Sequence, residues 1–103
     1  ELYDVVISNP PFGMKVSSFY LGDNHPPRLI SAAQHVIEQG LKTLREPGSI
    51  LCVTSTRLLF SEGSEAKLRK RLVENNQIDT IVYFPGGLLR HTKIPFCLII
   101  IKY

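Results

Sequence analysis

No apolar run in the 103-residue chain approaches the ~20 residues that a helix needs to cross a membrane, so no membrane partner is expected. The start, Glu1, lacks the basic and apolar regions of a signal peptide. There are only two cysteines, Cys52 and Cys97, both in apolar strand-like runs. Two buried thiols in a reducing compartment is the default reading, which places the protein in the cytoplasm; a disulfide between them stays open. The three histidines, His25, His35 and His91, have no metal-ligand spacing with each other or with the cysteines, so no metal site is indicated. Internal repeats and low-complexity tracts are absent, as is a G-x-G-x-x-G loop; the Gly86-Gly87 pair is not followed by a helix. Charge is not extreme either. A net +3 and a pI near 9.0 are compatible with a nucleic-acid partner without requiring one. What the chain does have is 44% hydrophobic residues, enough for a packed core in one small domain.

The informative stretch lies near the start. Val5-Val6-Ile7 reads as a short strand, and Ser8-Asn9-Pro10-Pro11-Phe12-Gly13 follows it. Two prolines without N–H groups and with fixed φ keep the chain from curling into a helix. Asn9 is thereby held at the carboxyl end of a strand, where open α/β sheets place ligands. Phe12 falls at the rim, and Gly13 lets a partner approach the backbone closely. This pattern suits the activation of an exocyclic amino group on an aromatic base, which is otherwise a poor nucleophile. The lone pair of such a group is delocalised into its ring. Two acceptors aimed at its N–H bonds would draw the nitrogen toward tetrahedral geometry, and the Asn9 side-chain oxygen and the Pro10 carbonyl supply two. Phe12 could stack on a base taken out of its helix. The bland alternative is a strand, a Pro-rich turn and a core Phe.

The rest of the chain alternates strands and helices. Residues ~3–8 are the first strand, and residues 14–27 have loop composition, flanked by Lys15 and Arg28. These two cations are solvated or meet phosphates. A helix is expected over Arg28–Arg45, with Leu29, Ile30, Ala33, Val36, Ile37, Leu41 and Leu44 on one face, Lys42 and Arg45 in its last turn, and Pro47-Gly48 ending it. His35 falls on its polar flank. Ser49–Ser55 reads as a central strand, with Thr54 to Arg57 at its carboxyl end. A second helix over Ser64–Asn75 carries Lys67, Arg69, Lys70 and Arg71, ordinarily a solvated face, with DNA contact as the alternative. Gln77–Phe84 is the third strand. Residues 85–95, with Arg90, His91 and Lys93, form a loop, and Ile94–Tyr103 is a fourth strand whose unbroken apolar run implies burial on both faces. Strand–helix–strand units make the first three strands parallel, while the short last loop makes the fourth antiparallel to the third.

Asn9-Pro10-Pro11-Phe12 resembles the catalytic motif of S-adenosylmethionine-dependent N6-adenine methyltransferases. The downstream half is similar to modification subunits of type I restriction systems. Leu59-Phe60 precedes a small-residue turn, then come the Lys/Arg-rich helix, the Ile78-Asp79 strand, a Pro-containing loop and the final Ile94-Pro95-Phe96-Cys97 strand. The similarity covers about residues 3–102. One departure is Ser55-Thr56-Arg57, where Pro-Asn-Gly is the family pattern; it bears on the pocket wall near the base.

The resemblance implies an α/β fold in which this chain is half of a Rossmann-like methyltransferase sheet. Its four strands would lie in the spatial order first, second, fourth, third, with the fourth antiparallel and two crossover helices. Residues 1–103 would then be a single partial domain, the catalytic-motif half, inactive alone. S-adenosylmethionine would be the cofactor, bound mainly outside this chain, with Asn9 the one contact to consider here. Asn9, Pro10, Pro11 and Phe12 would be catalytic, with Phe12 also the base-stacking residue. The activity would be site-specific N6-methylation of DNA adenine within a restriction-modification system. The partners would be DNA and the specificity and restriction subunits. An unpaired first strand would also favour self-association. The competing readings are a non-catalytic remnant or a subunit- or DNA-binding module, and an amino-methyltransferase acting on RNA or protein.

Overall fold

A computed structural model describes residues 2–17, 29–88 and 93–103. The expectations placed on Arg28, His25, Arg90, His91 and most of the 14–27 loop lie outside these residues. In chain order the elements are β1 (Tyr3–Ser8), β2 (Lys15–Ser17), β3 (Leu29–Ser31), α1 (Ala32–Thr43), β4 (Leu44–Ser55), α2 (Ser64–Glu74), β5 (Ile78–Phe84) and β6 (Phe96–Lys102), with a 3-10 turn at Thr56–Leu59 after β4. The main sheet has the order β1-β4-β6-β5, and β2 and β3 form a separate two-stranded sheet.

β1 runs parallel to β4, with Val6 opposite Ile50 and Ser8 opposite Cys52. β6 is antiparallel to both of its neighbours, β4 and β5. β4 and β6 thus make ladder hydrogen bonds on both edges and form the centre of the sheet. Side chains alternate across a strand, so Ile50 and Cys52 from β4 share a face with Cys97, Ile99 and Ile101 from β6. Ala33 and Ile37 of α1 and Leu68 and Leu72 of α2 pack on that face, and all of them belong to one buried cluster. Both helices therefore cover the same side.

That one-sidedness corrects the expectation for β6. Its burial alternates: Cys97, Ile99 and Ile101 are buried, whereas Phe96, Leu98 and Ile100 are half-buried. The apolar run needs two covers, and the described residues supply one. On the open side of β1, Ile7 is 76% exposed.

The first helix is shorter than its apolar stripe. It starts at Ala32, because Leu29–Ser31 pairs with Lys15–Ser17 as β3. Ser31 caps the helix, its hydroxyl oxygen accepting from the Gln34 N–H at 3.1 Å. The helix ends at Thr43, and Leu44, though on the stripe, already pairs with Tyr3. Arg45 therefore lies outside the last helical turn and stands 3.7 Å from Asp4 instead. Pro47 and Gly48 do not end the helix but fall inside β4, where the register with β1 shifts between Tyr3 and Val5. Gly48 is needed there: a Cβ would sit 2.5 Å from the Arg45 carbonyl and 2.8 Å from that of Asp4.

Both cysteines are free and buried in the core. Burial pushes the Cys52 thiol up from its ordinary 9.0 to about 11, and Cys97 beside it adds to the rise. Burial raises Cys97 as well. An acid held protonated in the fold binds more protons than its unfolded counterpart once pH passes the unfolded value, so stability must fall as pH rises. Unfolding free energies from urea titrations at pH 8 to 11 are expected to decline through the window between 9.0 and about 11, by roughly 2 kcal/mol from Cys52. A flat profile across that window would contradict the assignment.

Candidate active site

Parallel pairing of β1 and β4 puts their carboxyl ends on one edge of the sheet, and the antiparallel β6 begins at that same edge. Asn9, Pro10, Pro11 and Phe12 leave β1 there. Asn9 and Pro11 are exposed, and Pro10 and Phe12 are half-buried. Gly13 has φ +77°, a left-handed value suited to glycine. The Met14 N–H donates to the Pro11 carbonyl at 3.3 Å, and the Ala32 N–H donates to the Met14 carbonyl at 2.9 Å. The turn carrying the motif is thereby fixed to the start of α1.

Around this turn lie residues from distant parts of the chain. Thr54, Ser55 and the 3-10 turn bring Arg57 to the same edge, and the Thr56 N–H donates to the Pro95 carbonyl at 3.5 Å. A small cavity of about 90 Å³ separates Pro11, Gly13 and Met14 from Thr54, Ser55 and Glu65, and Lys15 and Arg57 also line it. The departure at Ser55-Thr56-Arg57 thus contributes to the wall of a cavity beside the motif.

Two features of this edge were not foreseen from the sequence. The first is a carboxylate clamp. Ser31 donates to Glu65 Oε2 at 2.6 Å, and Ser61 donates to Glu65 Oε1. A second polar link joins the same two helices, Ser64 donating to Gln34 Oε1 at 2.9 Å. Gln34 is almost fully buried, and its own amide donates to Glu38 at 3.2 Å. The second feature is aromatic. The Phe12 ring lies 6.0 Å from that of Phe96, tilted by 34°. Phe96 stacks on Phe84 at 4.8 Å and 15°. The local sequence signal for this trio is weak: Phe84 and Phe96 merely end and begin strands.

The basic helix divides. Lys67, Lys70 and Arg71 are exposed, in keeping with a solvated face. Arg69 is half-buried and donates to the Leu58 carbonyl at 2.9 Å, holding the 3-10 turn after β4. His35 is half-buried rather than out on a polar flank, and its Nδ1 is buried with no hydrogen-bond partner among the described residues.

A solved type I restriction-modification methyltransferase subunit from Streptococcus thermophilus superposes with a TM-score of 0.82 at 28% identity, covering 98% of this chain and 23% of that one. The type I restriction enzyme MpnII methylase subunit of Mycoplasma pneumoniae is 27% identical over 115 residues, which take in 97% of this chain and 20% of the relative. The EcoEI methylase subunit of Escherichia coli is 30% identical over 90 residues, 85% of this chain and 18% of the relative. The chain thus spans about a fifth of the length of the curated relatives it matches. The family described as N-6 DNA Methylase matches residues 1–103. An Asn-Pro-Pro-Phe turn at the carboxyl edge of an α/β sheet is accordingly read within a match that extends over the whole chain, which belongs to the N-6 DNA methylase family.

Proposed function

We propose that the chain is the catalytic-motif half of an S-adenosylmethionine-dependent methyltransferase domain that methylates N6 of adenine in DNA, in a type I modification subunit. The observation that carries this reading is the placement of an exposed Asn9 and the Pro10 carbonyl at the carboxyl end of β1, with the half-buried Phe12 ring beside them. In this reading the four strands are one half of a larger Rossmann-like sheet, and residues 1–103 are a partial domain. The relatives are methylase subunits of type I restriction enzymes, so DNA and the specificity and restriction subunits are the proposed partners, in the cytoplasm.

The chemistry follows from the donor set. Asn9 Oδ1 accepts one N–H of the adenine amino group and the Pro10 carbonyl accepts the other. Both pull the nitrogen out of conjugation, so its lone pair develops toward the methyl carbon. Pro11 sets the turn, and Phe12 stacks on the extruded base. The donor set at this edge, an amide oxygen and a prolyl carbonyl, fits the amino-group side of the reaction. S-adenosylmethionine, when bound, supplies an electrophilic methyl group; Asn9 is the residue assigned toward it here. With that donor bound, its methyl group would pass to the nitrogen that Asn9 and Pro10 hold, the donor leaving as its thioether and the surplus proton going from the nitrogen to solvent.

The test is product analysis. The full-length methylase bearing this chain, assembled with its specificity subunit, is incubated with S-adenosylmethionine and duplex DNA, and the DNA is digested to nucleosides. N6-methyl-2'-deoxyadenosine is the expected product; methylated deoxycytidine, or no DNA methylation, overturns the reading.

β1 is an edge strand of the described sheet. Its unpaired backbone groups and the exposed Val5 and Ile7 favour pairing with another chain. The isolated 103-residue chain is expected to self-associate in sedimentation experiments at high concentration, and a clean monomer would contradict this.

A further inference from the structure

Phe12 sits on a turn, whereas Phe84 and Phe96 sit opposite each other on the hydrogen-bonded β5–β6 pair. The backbone ladder fixes those two rings, which stack at 4.8 Å. Phe12 then leans on Phe96 at 6.0 Å. Phe96 lies on the sheet face away from the helices, because its neighbour Cys97 belongs to the core cluster on the other face. Neither Phe84 nor Phe96 is part of that core cluster.

A ring that must receive a flat base loses rotamer freedom on binding. A ring already braced by a neighbour has lost that freedom beforehand, and the complex gains accordingly. We propose that Phe96, backed by Phe84, is a positioning residue that holds the Phe12 ring in the orientation that receives the extruded adenine. The proposal rests on the base-stacking reading of Phe12.

The experiment is a double-mutant cycle in the full-length methylase assembled with its specificity subunit, with kcat/KM for DNA methylation and thermal unfolding recorded for each enzyme. Phe96→Leu keeps an apolar side chain and removes the ring. It is expected to lower kcat/KM by roughly two- to tenfold, the size of an aromatic pair, mainly through KM for DNA. Phe96→Tyr is expected to restore the value. In a Phe12→Ala background the further change Phe96→Leu should cost nothing, because its effect passes through Phe12. An equal loss in both backgrounds would overturn the proposal. If Phe12→Ala alone leaves methylation unchanged, the base-stacking reading fails and the proposal falls with it. If Phe12→Ala impairs methylation and Phe96→Leu is neutral or additive, the proposal alone fails. Should Phe96→Leu not fold, Phe84→Leu, which removes the brace behind Phe96, runs through the same cycle, and additivity with Phe12→Ala overturns the proposal equally.

Discussion

Asn9→Ala is expected to slow methyl transfer by roughly 10²–10³-fold, the loss typical of removing one preorganised polar group from a transition state. Folding should be unaffected. Asn9 is exposed, and among the described residues its side chain has no hydrogen bond to lose. Surface substitutions of this kind stay within about 0.5 kcal/mol. The contrast is what makes the variant informative. Asn9 sits at the end of a strand whose conformation is set by its ladder and by Pro10 and Pro11, not by the amide. In the proposed reading the amide meets the substrate amino group instead. In single-turnover assays with a labelled methyl donor, the rate should collapse while the unfolding midpoint holds. An unchanged rate would show that Asn9 does not carry the catalysis.

The second large effect concerns Glu65. Its two oxygens accept from Ser31 and Ser61, and Ser31 lies 34 residues away in sequence. The Ser31 hydroxyl works in both directions, accepting from the Gln34 N–H at the head of α1 and donating to Glu65 at the head of α2. β3, which ends at Ser31, pairs with β2 and so with the chain leaving the motif turn. One carboxylate thus ties the turn to both helices. Hydrogen bonds to a charged group contribute about 1.5–3 kcal/mol each, less where water shares the site. For the half-buried Glu65, Glu65→Ala should destabilise by about 2–4 kcal/mol in denaturant titrations. Glu65→Gln, which keeps an acceptor without the charge, should lie between. A change below about 0.5 kcal/mol for the alanine variant, the level of an ordinary surface site, would show that the clamp contributes little.

The parts of the fold that could be read from the sequence are those fixed locally. Val5-Val6-Ile7 stopped by Pro10-Pro11 marks β1, and Ser64–Glu74 carries both its stripe and its charges. Boundaries were misread where one residue satisfies two patterns. Leu29, Ile30 and Leu44 fit the helical stripe of α1, yet their partners Lys15–Ser17 and Tyr3 claim them for strands. Strand pairing outweighs a propensity worth a few tenths of a kcal/mol per residue. The Asn9-Pro10-Pro11-Phe12 site was legible because its chemistry is contiguous in the chain. Glu65, Phe84 and Phe96 were not, because their partners are brought to them only by the fold. The run from Phe96 to Ile101 illustrates the converse. Its composition calls for two covered faces, while the described residues cover only one.

The most direct measurement is a structure of the full-length methylase on duplex DNA with the target adenine extruded. The expected result places adenine N6 at hydrogen-bond distance, about 2.7–3.2 Å, from both Asn9 Oδ1 and the Pro10 carbonyl, with the base against Phe12. An extruded adenine whose amino group meets neither oxygen would contradict the account.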